Sequence, residues 1–168
     1  KLVSFYCLVL EILTVMQIRE AEHKDLSIIL DIMNEAIINT TSIYDYKTRN
    51  SEFAENWFDK KHLDNMPVLV AEINGSAVAY GSYGIFRAWE AYKFSVEHSI
   101  YVQDDFQGQG IGKQLLIALV ERAKKDGFHT MIAGIDADNQ KSYEFHKKLG
   151  FVEVGKFKEV GYKFDRWL

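Results

Sequence analysis

A glycine-rich segment constrains this chain more than any other feature. Residues 107–112 read Gln-Gly-Gln-Gly-Ile-Gly and stand between an apolar strand-like run, residues 99–102, and an amphipathic run, residues 113–120. Closely spaced glycines let successive backbone N–H groups turn into one cavity, and the positive end of a following helix dipole adds to their attraction for anions. The segment therefore predicts a strand, a turn and a helix, with the turn able to hold a diphosphate.

Two well-known phosphate loops do not fit these residues. A P-loop needs Lys followed by Ser or Thr after its last glycine, whereas Gly112-Lys113 is followed by Gln114. A dinucleotide-binding loop needs a small residue three places after its second glycine, and Lys113 stands there. Taken alone, the remaining pattern is also compatible with a structural turn.

The pattern Gln-x-x-Gly-x-Gly, matched by Gln107, Gly110 and Gly112, resembles the coenzyme A pyrophosphate loop of the GNAT N-acetyltransferase superfamily. Four more segments in the same order resemble the phosphinothricin acetyltransferase branch of that superfamily. They are Val-Glu-His-Ser-Ile-Tyr-Val (96–102), Asn-Gln-Lys-Ser-Tyr-Glu-Phe-His (139–146), Leu-Gly-Phe (149–151) and Val-Gly-Tyr-Lys-Phe-Asp-Arg-Trp (160–167). The resemblance extends over residues 16–168.

Length and composition agree with one globular domain over residues 16–168. The chain has 168 residues, of which 48% are hydrophobic, enough to bury a core. A net charge of −4 without a long basic run argues against nucleic acid as the main partner. A single cysteine, Cys7, excludes an internal disulfide and favours a cytoplasmic location.

Hydrophobic periodicity predicts an α/β (α+β) order. Asn74-Gly75 between two apolar runs is a strong hairpin signal, and Ser51 is a candidate helix cap. The predicted strands are residues 16–20, 67–73, 77–86, 94–102, 130–136, 151–157 and 162–168, and the predicted helices are residues 26–37, 52–63, 111–125 and 140–149.

The resemblance implies the GNAT fold, a mixed central sheet flanked by helices on both faces, in which two neighbouring strands splay apart. It also implies that acetyl-CoA lies in that gap, where its pantetheine amides pair with strand amides left unpaired. The cofactor contacts implied are Ile100, Tyr101, Val102, Gln107, Gly108, Gln109, Gly110, Ile111, Gly112, Lys113, Asn139 and Ser142. Asn139 could equally serve as the N-cap of its helix.

Two residues are candidates for proton transfer. Glu97 lies in an otherwise apolar strand beside the loop, where burial would raise its pKa toward a useful value for a base that deprotonates an amine. The alternative is a structural carboxylate paired with Arg or Lys. His146 holds the place where many relatives carry a tyrosine acid, and a packing role is the alternative. His98 alternates away from Glu97 and is expected to be structural.

Arg87, Tyr92 and Lys93 precede Glu97 and align with a basic and aromatic cluster of the phosphinothricin branch, which implies contact with an amino acid substrate; a solvated loop is the alternative. The expected function is acetyl transfer to the α-amine of a small amino acid or analogue, such as phosphinothricin or methionine sulfoximine or sulfone, by a homodimer without a metal. Two alternatives stay open: a weakly catalytic acyl-CoA sensor, and a protein N-terminal or lysine acetyltransferase.

Residues 1–15 precede Met16, the expected natural start. Residues 2–10 resemble the apolar strand that relatives carry after the Arg-Trp-Leu element, so we expect them to supply a terminal strand, with a tag or artefact as the alternative. They are too short for a membrane span, and no small-residue cleavage site of a signal peptide follows.

Overall fold

The structure is a computed structural model that describes residues 16–168, so the terminal strand predicted for residues 2–10 lies outside the described residues. The strands are β1 (Met16–Glu20), β2 (Val68–Ile73), β3 (Ser76–Ile85), β4 (Ser95–Val102), β5 (Thr130–Ile132), β6 (Tyr162–Lys163) and β7 (Arg166–Trp167). The helices are α1 (Leu26–Asn39), α2 (Ser51–Leu63), α3 (Ile111–Lys125) and α4 (Gln140–Lys148).

Five strands form one mixed sheet in the order β1-β2-β3-β4-β5. All neighbouring pairs are antiparallel except β4 and β5, which are parallel. Asn74 and Gly75 have φ of 51° and 83°, as the tight turn between β2 and β3 requires. This confirms the predicted hairpin and the mixed α/β class.

The sheet separates two apolar layers. On one face, Ile29 and Met33 of α1 and Phe58 of α2 pack against Tyr80 of β3. On the other face, α3 packs through a stripe repeating every three to four residues, as its sequence period predicts. That stripe consists of Ile111, Leu115, Leu119 and Ala123. Side chains alternate between the two layers along each strand, so the parity of a residue in β4 decides which layer it faces.

The sheet opens beside β4. Strand β4 pairs with β5 only over residues 95–97, which lie opposite Thr130–Ile132. The predicted strand at residues 130–136 therefore ends at Ile132, because the chain diverges from β4 there. Within residues 16–168, the second half of β4 pairs with β3 alone, which confirms the predicted splay.

Three local predictions were wrong. Residues 151–157 form no strand; Val152 and Val154 alternate as in a strand, but their side chains are 79% and 93% exposed. Residues 162–168 form the two short strands β6 and β7 instead of one long strand. The cap of α2 is Asn50 rather than Ser51, because the Asn50 side chain accepts a hydrogen bond from the Phe53 N–H at 2.9 Å.

A buried lysine, Lys163, anchors the C-terminal hairpin of β6 and β7 to the end of α1. Lys163 is 2% exposed, and its Nζ donates to the carbonyl oxygens of Ile37 (2.7 Å), Thr40 (2.8 Å) and Ile43 (2.6 Å). Burial lowers the pKa of Lys163, while the three carbonyl dipoles replace the water lost by the ammonium group. The hairpin thus holds the end of α1 and the segment that follows it.

Over residues 16–168, every helix is too short or too polar to cross a membrane.

Candidate functional site

A cavity of about 270 Å³ opens between the sheet and the α1–α2 layer. Its floor is formed by residues of β3 and β4, and its walls by α1, α2 and the segment between them. The lining residues are Met33, Ser42, Ile43, Arg49, Trp57, Lys61, Tyr80, Ser82, Tyr83, Gly84, Glu97, Ser99 and Tyr101. This volume is just below the range of typical small-molecule sites, roughly 300–1,000 Å³, and suits an acceptor smaller than a drug-sized ligand.

Glu97 lines this cavity at the point where the sheet opens. It pairs with Gly84 of β3 on one side and with Ile132, the last residue of β5, on the other. Its Oε1 approaches Gly134 so closely that a Cβ at that glycine would lie only 2.8 Å away. Glu97 is therefore the acidic group at the junction of the cavity and the gap between β4 and β5.

The prediction that burial raises the pKa of Glu97 is confirmed in its direction, although Glu97 stays exposed to solvent within the cavity instead of being fully buried. The protein nevertheless raises its pKa, since desolvation by surrounding atoms outweighs the opposite effect of Arg87. A carboxylate with a raised pKa binds a proton more readily, as a base for an amine requires.

The glycine-rich segment forms the predicted turn before α3. Gly108 and Gly110 have φ of 77° and 81°, a conformation that side chains disfavour, and α3 starts directly after Gly110. The first helical hydrogen bond joins Gln114 N–H to the Gly110 carbonyl at 3.2 Å. The preceding N–H groups have no partner within the helix and can bind an anion.

The other predicted cofactor residues lie on this turn and the start of α3, on the second half of β4, and at the start of α4. Gln107 donates to Asp104 Oδ1 at 2.7 Å and accepts from Lys141 Nζ at 2.8 Å, which fixes its amide beside the loop. Asn139 caps α4, accepting from the Ser142 N–H at 3.0 Å. Ile100, Tyr101 and Val102 belong to the half of β4 without a β5 partner. Gln109, Ile111, Gly112 and Lys113 complete the segment.

His146 does not lie in the cavity with Glu97. It is buried on the opposite face of the sheet, where its ring centroid lies 5.1 Å from that of His98 and 5.3 Å from that of Phe151. His146 Nδ1 lies 2.7 Å from the Ser142 carbonyl, so Nδ1 carries the proton. Burial lowers the pKa of His146. Burial and the neighbouring His146 together lower the pKa of His98 to about 3. These features describe a neutral, packed histidine pair, and the acid role of His146 stays a prediction.

Arg87, Tyr92 and Lys93 lie on the connection between β3 and β4 and do not line the cavity. All three are exposed. The Tyr92 ring packs edge-on against Phe86 at 5.7 Å, and Lys93 Nζ lies 4.0 Å from the Glu90 carboxylate. Arg87 is close enough to influence Glu97 electrostatically. Substrate binding by these residues stays a prediction.

The sequence reasoning missed the two cations that do line the cavity. Arg49 donates to Asp45 Oδ2 at 2.8 Å, so its guanidinium is already paired. Lys61 follows Trp57 by four residues, and both face the cavity from α2. The four-residue spacing from Trp57, an aromatic residue that packs partly buried against the core, was the available signal for Lys61.

Among residues 16–168, no cluster of three or more His, Cys, Asp or Glu side chains could hold a metal ion.

Comparison with known proteins places this geometry in a family. Residues 31–151 match the model of the "Acetyltransferase (GNAT) family". The chain is 40% identical to the L-amino acid N-acyltransferase MnaT of Escherichia coli K12, over 91% of this chain and 89% of the relative. It is 43% identical to the L-methionine sulfoximine/L-methionine sulfone acetyltransferase of Pseudomonas aeruginosa PAO1, over 90% and 88%.

A solved structure carries the same fold together with a cofactor. The phosphinothricin acetyltransferase from Sinorhizobium meliloti, in complex with acetyl-CoA, superposes with a TM-score of 0.87 at 34% identity, over 91% of this chain and 83% of that chain. The family match over residues 31–151 includes the splayed strands β4 and β5 and the glycine turn. The chain belongs to the GNAT acetyltransferase family.

Proposed function

We propose that this acetyltransferase transfers the acetyl group of acetyl-CoA to the α-amine of a small amino acid or of an analogue such as methionine sulfone, methionine sulfoximine or phosphinothricin. The observation that carries the proposal is the position of Glu97, between a cavity of small-molecule size and the gap beside β4. The names of the relatives support the same class of acceptor.

In this reaction the acceptor amine lies in the cavity with its nitrogen toward Glu97. Glu97 takes the proton of the amine, directly or through water, and the neutral nitrogen attacks the thioester carbon entering from the gap. The C–N bond forms, the C–S bond breaks with its electron pair leaving on sulfur, and the second proton that the nitrogen loses ends on the departing thiolate to give the free thiol. Thiols titrate near ~8.5, so the departing thiolate needs little help from an acid.

The residues around the gap fit acetyl-CoA. The turn at Gly108 and Gly110 offers N–H groups and the positive end of α3 to the pyrophosphate, and the free half of β4 offers backbone partners to the pantetheine amides. Bound there, acetyl-CoA supplies the activated acetyl group. Asn139 and Ser142 at the start of α4 are proposed to contact the same cofactor.

The test follows thiol release from acetyl-CoA with methionine sulfone, methionine sulfoximine, phosphinothricin and a lysine peptide. Glu97→Gln should lower kcat by about 100- to 10,000-fold with the small acceptors while leaving acetyl-CoA binding intact. Glu121→Gln, on the exposed surface of α3 where Glu121 pairs with Lys124, is the matched control. Turnover of the peptide alone would replace this proposal with a protein acetyltransferase. Tight acetyl-CoA binding without turnover would favour the sensor.

We also propose a homodimer in the cytoplasm. Exposed apolar side chains at Val152, Val154 and Phe157 support the dimer, because such a group of residues often marks an interface. Sedimentation velocity of the full chain tests it, and a monomer at micromolar concentration would contradict it.

A further inference from the structure

Lys61 is a charged residue of the cavity that has no role in the proton transfer proposed above. It lies in the last turn of α2, half-buried, with Nζ donating to the Tyr83 carbonyl at 2.7 Å and lying 6.0 Å from the Trp57 ring centroid. Within residues 16–168 it has no carboxylate partner in ion-pair range. An ammonium group can donate three hydrogen bonds, and this one makes a single protein hydrogen bond among the described residues.

The ammonium group and Glu97 face the same small space. A Cβ placed at Gly84 would lie 3.3 Å from Lys61 Nζ, so the ammonium lies directly above that glycine. Gly84 and Glu97 are cross-strand partners, and such partners project to the same face with Cβ atoms ~5 Å apart. The cation and the carboxylate are thus neighbours above the sheet, yet they form no ion pair. An α-amino acid carries the complementary groups, an amine and a carboxylate on one carbon.

We propose that Lys61 binds the α-carboxylate of the acceptor while Glu97 receives its amine, so that Lys61 selects α-amino acids over simple amines. This inference rests on the proposed function and names the residue that sets its specificity. Of the other cations, Arg49 is paired with Asp45, and Arg87 lies outside the cavity lining. Gly84 contributes by leaving the space above the sheet open to the ammonium group.

Electrostatics agrees with this geometry. Burial is the main reason that the pKa of Lys61 falls to about 8, with Asp64 raising it and Lys60 lowering it slightly. A bound carboxylate would favour the charged ammonium and raise the pKa again. The titratable or charged side chains that share the cavity with Lys61 are Arg49, Tyr80, Glu97 and Tyr101, whereas the Tyr83 phenol lies on the other face of the sheet and only its carbonyl meets Lys61.

The pH dependence has a definite sign. Below the pKa of about 8, Lys61 is charged and the acceptor carboxylate binds; as pH rises through that value, the KM for an α-amino acid should rise. Lys61→Arg keeps the charge at all these pH values, so its KM should show no rise near pH 8.

The experiment compares methionine sulfone with its carboxamide, which lacks the carboxylate charge. Lys61→Met should raise the KM for methionine sulfone by about 10- to 100-fold and change the KM for the amide by less than about threefold. Lys60→Met is the matched control, because Lys60 is the exposed neighbour that pairs with Asp64 at 2.8 Å.

The outcomes separate the two proposals. Equal loss with acid and amide, or an alkaline rise in KM that persists in Lys61→Arg, would overturn the role of Lys61 while leaving acetyl transfer standing. If the native enzyme acetylates neither compound, the proposed function fails first. Should Lys61→Met not fold, the pH profile of Lys61→Arg still decides, since a merely structural lysine predicts the same profile in both proteins.

Discussion

Replacing Gly134 by Ala tests the position of Glu97 without removing its carboxylate. The new Cβ would lie 2.8 Å from Glu97 Oε1, whereas ordinary contacts begin at 3.4 Å, so the carboxylate must move by about 0.6 Å. The atom that must move is the end of a flexible side chain, and Gly134 does not have a positive φ. We therefore expect Glu97 to change its rotamer and the backbone to stay in place.

The two energy terms for folding nearly cancel. An off-rotamer side chain costs about 0.5–1.5 kcal/mol, and replacing glycine by alanine stabilises by about 0.4–1 kcal/mol through the unfolded state. The net effect should stay below about 1 kcal/mol, or about 4 °C in Tm. Catalysis is more sensitive, because a misplacement of about 1 Å can cost about 100-fold in rate. For 0.6 Å we expect kcat to fall by about 10- to 100-fold.

The assay is thiol release at saturating acetyl-CoA, together with thermal unfolding of the same samples. Gly155→Ala is the matched control, since a Cβ at Gly155 meets nothing within 4 Å and its φ is not positive. Native-like kcat in Gly134→Ala would refute the idea that Glu97 acts from the observed position. A fall in Tm well beyond 4 °C would refute the premise that only the Glu97 side chain moves.

Two further changes probe the frame of the site. Lys163→Met removes the partner of three buried carbonyls and should lower the free energy of unfolding, measured in urea, by about 2–4 kcal/mol. The control, Lys60→Met, should change that free energy by less than about 0.5 kcal/mol. Similar losses in both variants would contradict the anchoring role of Lys163. Gly110→Ala places a Cβ at φ of 81°, which strains the backbone by about 1–2 kcal/mol. If acetyl-CoA binding requires this conformation, calorimetry should show its Kd rising about 5- to 30-fold. An unchanged Kd would argue against pyrophosphate binding at the glycine turn.

Elements with a strong local signal were predictable from sequence. The hydrophobic period located α1 and α3, the Asn74-Gly75 pair located the hairpin, and the glycine spacing located the turn before α3. Each of these depends on neighbours along the chain. The strand prediction for residues 151–157 was wrong because alternation alone does not provide a partner strand. A strand forms only where another segment pairs with its backbone hydrogen-bonding groups.

The missed parts of the site depend on long-range geometry. Strand parity separates Glu97 from His98, but the face on which α4 packs was not visible in the sequence, and that face decides where His146 lies. Lys61 follows Lys60 directly in the sequence, and only the pairing of β3 with β4 brings Gly84 and Glu97 beneath it. Cavity-lining cations are therefore found from the fold, not from the motif.

The separation of two apolar layers by the sheet has an evolutionary consequence. The cavity walls come from α1, α2 and their connection, while the glycine turn proposed to bind acetyl-CoA leads into α3 on the opposite layer. Substitutions that reshape the first layer can accumulate without disturbing the second, so acceptor preference can diverge among descendants while the use of one acyl donor is inherited unchanged. Ancestral or recombined chains that exchange residues 26–63 should accordingly transfer acceptor choice as a unit.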